Sequence, residues 1–276
     1  MRARWTLVLV LATTLSFVDV SLASGAGTVP PQNPRSNIAA VPRYSIVNNK
    51  SYVVGAGLPA CWAWGKDNRL VPRASSTTCV SDEIAATNRA QSAEGLGPIT
   101  LPSNFATLSV PDQLLVMVDI ERVSRGEVPV LGVSAQLNAL AQRGAAARED
   151  PSLPSASYFP NATGAYVANW AGALSALDAN YDWMYTDGWA GRSTDNYDCT
   201  SAHAAGCWGH RDNILVNSSR MRCLVTTCSL VMGGGYSYLK AGDNFSSFSE
   251  LIIQVSGTPT TLSYTWATAL ADGANP

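Results

Sequence analysis

Two histidines in 276 residues leave little for chemistry near neutral pH. Imidazole is the only side chain whose ordinary pKa, about 6.5, falls in that range. Charge is scarce as well: Asp, Glu, Lys and Arg make up 14% of the chain and the net charge is -2. That excludes the basic footprint of a nucleic-acid binder and the polybasic patch of a protein held on anionic membranes. No Cys-x-x-Cys pair occurs, so the cysteines lack the spacing of the commonest zinc sites. The Gly-x-Ser-x-Gly elbow of many serine hydrolases is missing too. Beyond the first residues no stretch is long and apolar enough to span a bilayer.

What is present begins at the start of the chain. Arg2 and Arg4 precede the apolar run Trp5 to Phe17, and small residues follow at Ala23, Ser24, Gly25 and Ala26. This order predicts a secretory signal over residues 1–26 that is cleaved, leaving the rest secreted and extracellular. A membrane anchor is the rival reading, but the run is shorter than the roughly 20 residues a span needs. Six cysteines behind such a signal read as disulfides. They fall into three sequence-local pairs, Cys61 with Cys79, Cys199 with Cys207 and Cys223 with Cys228, although six cysteines allow many other pairings and free buried thiols remain an alternative.

Residues 25–43 are rich in Gly, Pro, Asn and Ser and predict a flexible arm. Tyr44–Val47 and Tyr52–Val54 flank a turn-rich break and predict a hairpin; Cys61-Trp62-Ala63-Trp64 predicts a stapled loop. A helix is expected over 82–93, capped by Ser81 and stopped at Gly95. A second follows Ser109-Val-Pro111-Asp112, with Leu114, Leu115, Val116, Met117, Val118 and Ile120 making it apolar nearly all round, which implies burial. Ser134 caps a third, whose Leu137, Leu140, Ala141, Gly144 and Ala145 recur on one face. Residues 151–166 read as loop, and Tyr166–Leu177 and Tyr181–Tyr185 as helical pieces around Trp170 and Trp183. A short helix should start just after Gly209. The period then changes: 223–232 and Phe248–Val255 read as strands, Gly233-Gly-Gly235 as a turn, and the tail after Gly257 shows no core pattern. Helices early and strands late predict an α+β fold.

The chemistry-bearing stretch is Cys199 to Leu215, which holds both histidines, His203 and His210. Gly206 and Gly209 interrupt any continuous helix between them. Two imidazoles with Asp187 or Asp150 could hold zinc through three protein ligands and activate a water. The competing reading of His210 is a structural histidine bonded to a backbone carbonyl. Trp170, Trp183, Tyr185, Trp189 and Trp208 cluster in sequence around this region. They could fill the core, or line a groove for an apolar or glycan ligand. Asn49, Asn161, Asn217 and Asn244 begin glycosylation sequons, a pattern short enough to arise by chance.

One segment is nearly a family motif letter for letter. Trp208-Gly209-His210-Arg211-Asp212-Asn213-Ile214-Leu215 resembles the P/W-G-H-R-x-N-I-L signature of the bacterial, secreted branch of the CAP (SCP-like) superfamily. Asp119-Ile-Glu121-Arg122, Gly126, Pro129 and Leu131 resemble that branch's opening helix, and Leu137 to Ala141 its second. The resemblance covers residues 105–257. It implies an α-β-α sandwich with a cleft beside His210, an irregular N-terminal extension over 27–104 and a C-terminal tail over 258–276. Many members hold two histidines and two glutamates in the cleft, sometimes around a metal ion. Only His210 carries over. The other places fall on Glu149 or Asp150, on Ala168 before a retained Asn169, and on Thr186 or Asp187.

The expected function is therefore extracellular binding of a lipid, sterol or cell-surface ligand in a cleft lined by His210, His203, Asn169, Asp150 and Trp208. No nucleic-acid partner and no integral membrane domain are expected after cleavage. The alternative is a metal-dependent hydrolase using His210 with Asp187 and His203 around a divalent ion such as zinc.

Overall fold

A computed structural model describes residues 33–34, 77–186, 208–216, 221, 228–238, 245–257 and 261–276, and the backbone of four short strands before them. Those strands form two antiparallel hairpins, β1 (Arg43–Val47) with β2 (Lys50–Val54), and β3 (Trp62–Trp64) with β4 (Leu70–Pro72). The first is the hairpin expected from the sequence. The expected signal segment 1–26, His203, Asp187, Trp189, Cys61, Cys199, Cys207 and Cys223 all lie outside the described residues. Cys79 and Cys228 are each disulfide-bonded.

The body opens with α1 (Thr77–Ala93), which begins earlier than Ser81 would set it. Next comes α2 (Val110–Val123), entered through Ser109 and Pro111 as expected. Its Leu114, Leu115, Val116, Met117, Val118 and Ile120 are all fully buried, so the apolar circumference does mark a central helix. Each contributes roughly 1.5–3 kcal/mol by leaving water. Gly126, at φ 76, turns the chain back. The chain then forms β5 (Gly132–Val133) and enters α3 (Ala135–Ala147), where the Ser134 side chain accepts the Gln136 N–H. The five residues expected on its apolar face are its five buried residues.

Next come β6 (Ala162–Ala173), α4 (Ala176–Tyr181), α5 (Gly209–Ile214), β7 (Cys228–Ser237), β8 (Ser246–Ser256), β9 (Tyr264–Thr265) and α6 (Trp266–Ala271). Five strands make one sheet in the order β6-β8-β7-β5-β9. Only the β5–β7 pair is parallel. The chain is thus a mixed helix-and-sheet fold, as expected.

Three glycines reveal the layering. A Cβ on Gly233 would stand 2.2 Å from the Leu137 carbonyl carbon, and one on Gly235 2.3 Å from that of Ala141, both on α3. On Gly234 it would stand 2.7 Å from Pro111 Cα, on α2. Successive residues of a strand face opposite ways, so α3 covers one face of the sheet and α2 the other. Gly233–Gly235 is therefore not the turn expected from composition. It lies inside β7, where two helix backbones come too close for any side chain.

Two further expectations need correction. Tyr166–Ala173 is strand rather than helix: Asn169, Ala171 and Ala173 alternate into the core while β8 pairs alongside. The core also does not stop at residues 105 and 257. Cys79, Ala86 and Ala90 of α1 share a cluster with Leu114 and Val118, and Trp266 and Ala269 of α6 share one with Val116, Met117 and Ile120. Single alanines on α1 and a short apolar helix near the C-terminus gave no periodic signal strong enough to see this.

Candidate functional site

The site is built around α5, the His210 helix, which lies beside the β6 edge on the α2 side of the sheet. Trp208 precedes it in the left-handed region at φ 65 and is fully buried. Arg122 fixes the far end: Nη1 donates to the Ile214 carbonyl at 2.6 Å and the Val216 carbonyl at 2.7 Å, while Nε and Nη2 hold the Val128 carbonyl. One turn earlier, Asp119 Oδ1 accepts the Val130 N–H at 2.7 Å. The Asp119-x-x-Arg122 pattern is thus a clamp that folds residues 126–131 under α2 and ties them to the end of α5. Burial, only partly opposed by Arg122, pushes the Asp119 carboxyl well up.

A second set of contacts joins α5 to the sheet. Asn213 Nδ2 donates to Asn169 Oδ1 and to the Ala168 carbonyl, each at 2.9 Å. Asn169 Nδ2 donates to Glu250 Oε1 at 2.8 Å and to the His210 carbonyl at 3.2 Å. Asn169 and Glu250 are direct cross-strand partners, with Gly234 opposite Glu250 on the next strand. Burial pushes Glu250 up to about 8, against the opposing pull of Asn169 and Arg122, which favours its neutral, protonated form.

A third set binds α5 to the helices. Glu94 Oε1 and Oε2 accept both ends of the Arg211 guanidinium, at 3.0 and 2.5 Å. The same carboxylate takes Arg125 Nη2 at 2.6 Å. Arg125 Nη1 reaches Glu121 Oε2 at 2.5 Å, and the Tyr185 hydroxyl donates to that oxygen at 2.8 Å. Burial pushes the Glu94 carboxyl up, but the hydrogen bonds and charges of Arg211 and Arg125 outweigh it and hold it below the usual range. Two arginines and two glutamates balance, which is what lets them stay buried. The Arg211 guanidinium also lies 5.7 Å from the Trp208 ring centre and 5.9 Å from that of Tyr185.

His210 itself is 6% exposed. The open hollow expected around it is therefore not its setting, since the aromatic residues near it are spent on packing. Trp183, Tyr185 and Trp208 are fully buried, as core filling requires. Among the expected cleft residues, Asn169 meets α5 directly. Asp150 and Glu149 are exposed and follow α3, which lies on the opposite face of the sheet. No three His, Cys, Asp or Glu side chains among the described residues stand close enough to hold a metal ion. The described residues thus do not fit the family's metal site. Of the alternative zinc set only His210 and the exposed Asp150 are described.

The sequence offered no view of Glu94, Glu121, Arg125, Arg211 and Tyr185 as a unit, because Glu94 and Arg211 are 117 positions apart. The one available signal was the excess of arginine and glutamate in segments otherwise apolar enough to be buried.

No family model, no curated protein and no solved structure matches the chain. Among the described residues no helix is long and apolar enough to cross a membrane.

Proposed function

We propose that this chain is a CAP-like, extracellular protein that works by binding a lipid, sterol or cell-surface ligand rather than by catalysing a reaction. The observation that carries this reading is the Asn213–Asn169 hydrogen bond. The resemblance calls for an asparagine at both positions, one in the histidine motif and one on the strand before it, and the fold brings the two into contact. The motif's other polar residues support a structural use as well: Arg211 is committed to Glu94 and the His210 carbonyl to Asn169. The glutamate that the family pairs with the asparagine is Ala168 here, so a tetrad-based reaction lacks its acid.

The ligand surface would be the half-buried outer side of α5, at Gly209 and Asp212, rather than the imidazole. Asn33 reaches this side from the N-terminal arm, donating to Asp212 Oδ1 at 2.8 Å. The test is a panel of phospholipid vesicles, sterol and cell-wall fragments offered to the purified full chain. One of these should bind saturably, and Asp212→Ala should weaken that binding. Absence of saturable binding to every probe overturns the reading. Stoichiometric zinc that His210→Ala abolishes would replace it with the metal-dependent hydrolase. Export is tested separately: N-terminal sequencing of the released protein should start after the small residues 23–26.

A further inference from the structure

We propose that the contact between α1 and α4 is a proton-dependent clasp: Glu83, Ser175 and Asp178 meet there with no cation beside them among the described residues, and α1 is held firmly only while the carboxyl pair keeps a proton. This inference stands apart from the ligand-binding reading.

Glu83 on α1 is 1% exposed and Asp178 on α4 is 6% exposed. Ser175 sits between them. Its Oγ donates to Glu83 Oε1 at 2.6 Å and accepts the Asp178 N–H at 3.0 Å, which caps α4. Asp178 Oδ2 accepts the Leu174 N–H at 2.8 Å. Glu83 Oε2 is buried without a hydrogen-bond partner among the described residues. A charged carboxylate could not leave that oxygen bare without a large cost, whereas a protonated one places its neutral hydroxyl there.

The surroundings reinforce the point. The charges that face Glu83 are Asp178 from α4 and Asp82 from its own helix, both negative. The third element packed here, α2, brings apolar Val116, Met117 and Ile120 beside Leu177. Burial first, then the Asp178 charge, push Glu83 up to about 8, and burial pushes Asp178 up to about 6. The folded-state values are raised, so the folded protein holds protons that the unfolded chain has released. Stability from this cluster is full at low pH and declines as pH rises toward about 8.

The clasp acts at a distance because of what α1 carries at its other end. Glu94, just past its last turn, grips Arg211 of α5 and Arg125 just beyond the end of α2. Loosening α1 therefore loosens the anchor of the His210 helix.

The experiment follows the full chain from about pH 5 to about pH 9, with Glu83→Gln and Asp178→Asn beside it. Thermal midpoints should fall across that range in the wild type, and Glu83→Gln should make the fall clearly shallower, leaving the share of the separately buried Glu250. Amide exchange in α1, corrected for intrinsic chemistry, should show an opening constant rising by up to about tenfold per pH unit, the limit for one proton. At neutral pH the wild type should show protonated-carboxyl infrared absorption that Glu83→Gln reduces and Glu83→Gln with Glu250→Gln reduces further. Asp178→Asn should move the fall to lower pH, because it removes the neighbour that raises Glu83. It serves as the second reading should Glu83→Gln fail to fold. A pH dependence in Glu83→Gln as steep as in the wild type, protonated-carboxyl absorption of unchanged intensity, or an unshifted Asp178→Asn profile would each overturn the clasp.

Discussion

Asn213 Nδ2 donates to Asn169 Oδ1 at 2.9 Å, linking a short helix to the edge strand of the sheet across 44 positions of sequence. The bond has no backbone substitute, and Asn169 is fully buried. Asn169 also holds Glu250 and the His210 carbonyl, so α5 is seated on side-chain amides as well as on the buried Ile214.

Replacing either asparagine with alanine should therefore destabilise the fold. Asn169→Ala removes the donor to Glu250 Oε1 and to the His210 carbonyl, and should cost about 1–3 kcal/mol for each buried group left unsatisfied. Asn213→Ala should cost less, being only half-buried. Urea unfolding of both single variants and the double variant measures this; the double should cost less than the sum, because the two share one bond.

Removing Glu94 should be more damaging than removing any exposed carboxylate. Arg211 and Arg125 would be left buried with their shared partner gone, a loss of about 3–5 kcal/mol. Glu94→Ala should lower the melting temperature strongly and with little dependence on salt, since ions screen buried pairs weakly. Glu149→Ala, at an exposed position, should change stability by under about 0.5 kcal/mol.

Glu250 adds its own pH dependence. Its folded-state value is raised to about 8 from 4.5, so the folded protein keeps this proton where the unfolded chain has lost it. Stability declines as pH rises between those values, by on the order of a few kcal/mol in all. Glu250→Gln keeps an acceptor for Asn169 and carries no proton to lose. Its unfolding free energy should fall less than that of the wild type between about pH 6 and pH 9. Combined with Glu83→Gln the two effects should add, because the groups lie on different contacts.

The strand glycines give the sharpest stability contrast. Gly233→Ala and Gly235→Ala would drive a Cβ to 2.2 and 2.3 Å from α3 backbone carbons, and α3 cannot yield without leaving the sheet. Both should fail to fold or lose several kcal/mol, as overpacking does at its worst. Gly97→Ala, with nothing within 4 Å, should be tolerated. Expression level and circular dichroism of the three variants separate these outcomes.

Much of the helical scaffold was legible because its signals are local. Ser109 with Pro111, the apolar circumference of α2 and the stripe on α3 all act within one element. The sheet was half legible. β8 reads as a run of β-formers, whereas β6 mixes Thr163, Tyr166, Val167 and Trp170 with alanine, glycine and asparagine, a mixture that fits a helix equally well until β8 pairs with it. The triple glycine misled for a related reason: glycine in a turn and glycine beneath a helix are the same letter. At the site, the histidine motif gave the start of α5, but not that its arginine would be answered from α1 or that its imidazole would be enclosed. Partners so far apart in the chain leave no trace in spacing.

The bare stretch at the middle of β7 also governs how far this molecule can vary. With helices resting on it from above and below, the thickness of the protein there is set by hydrogen atoms. A larger residue would have to lift one helix or the other, and Leu114, Leu137 and Ala141 would lose their seats together. Change is cheaper at the rim, on β6 and around α5, and any new binding preference should arise there while the middle stays fixed.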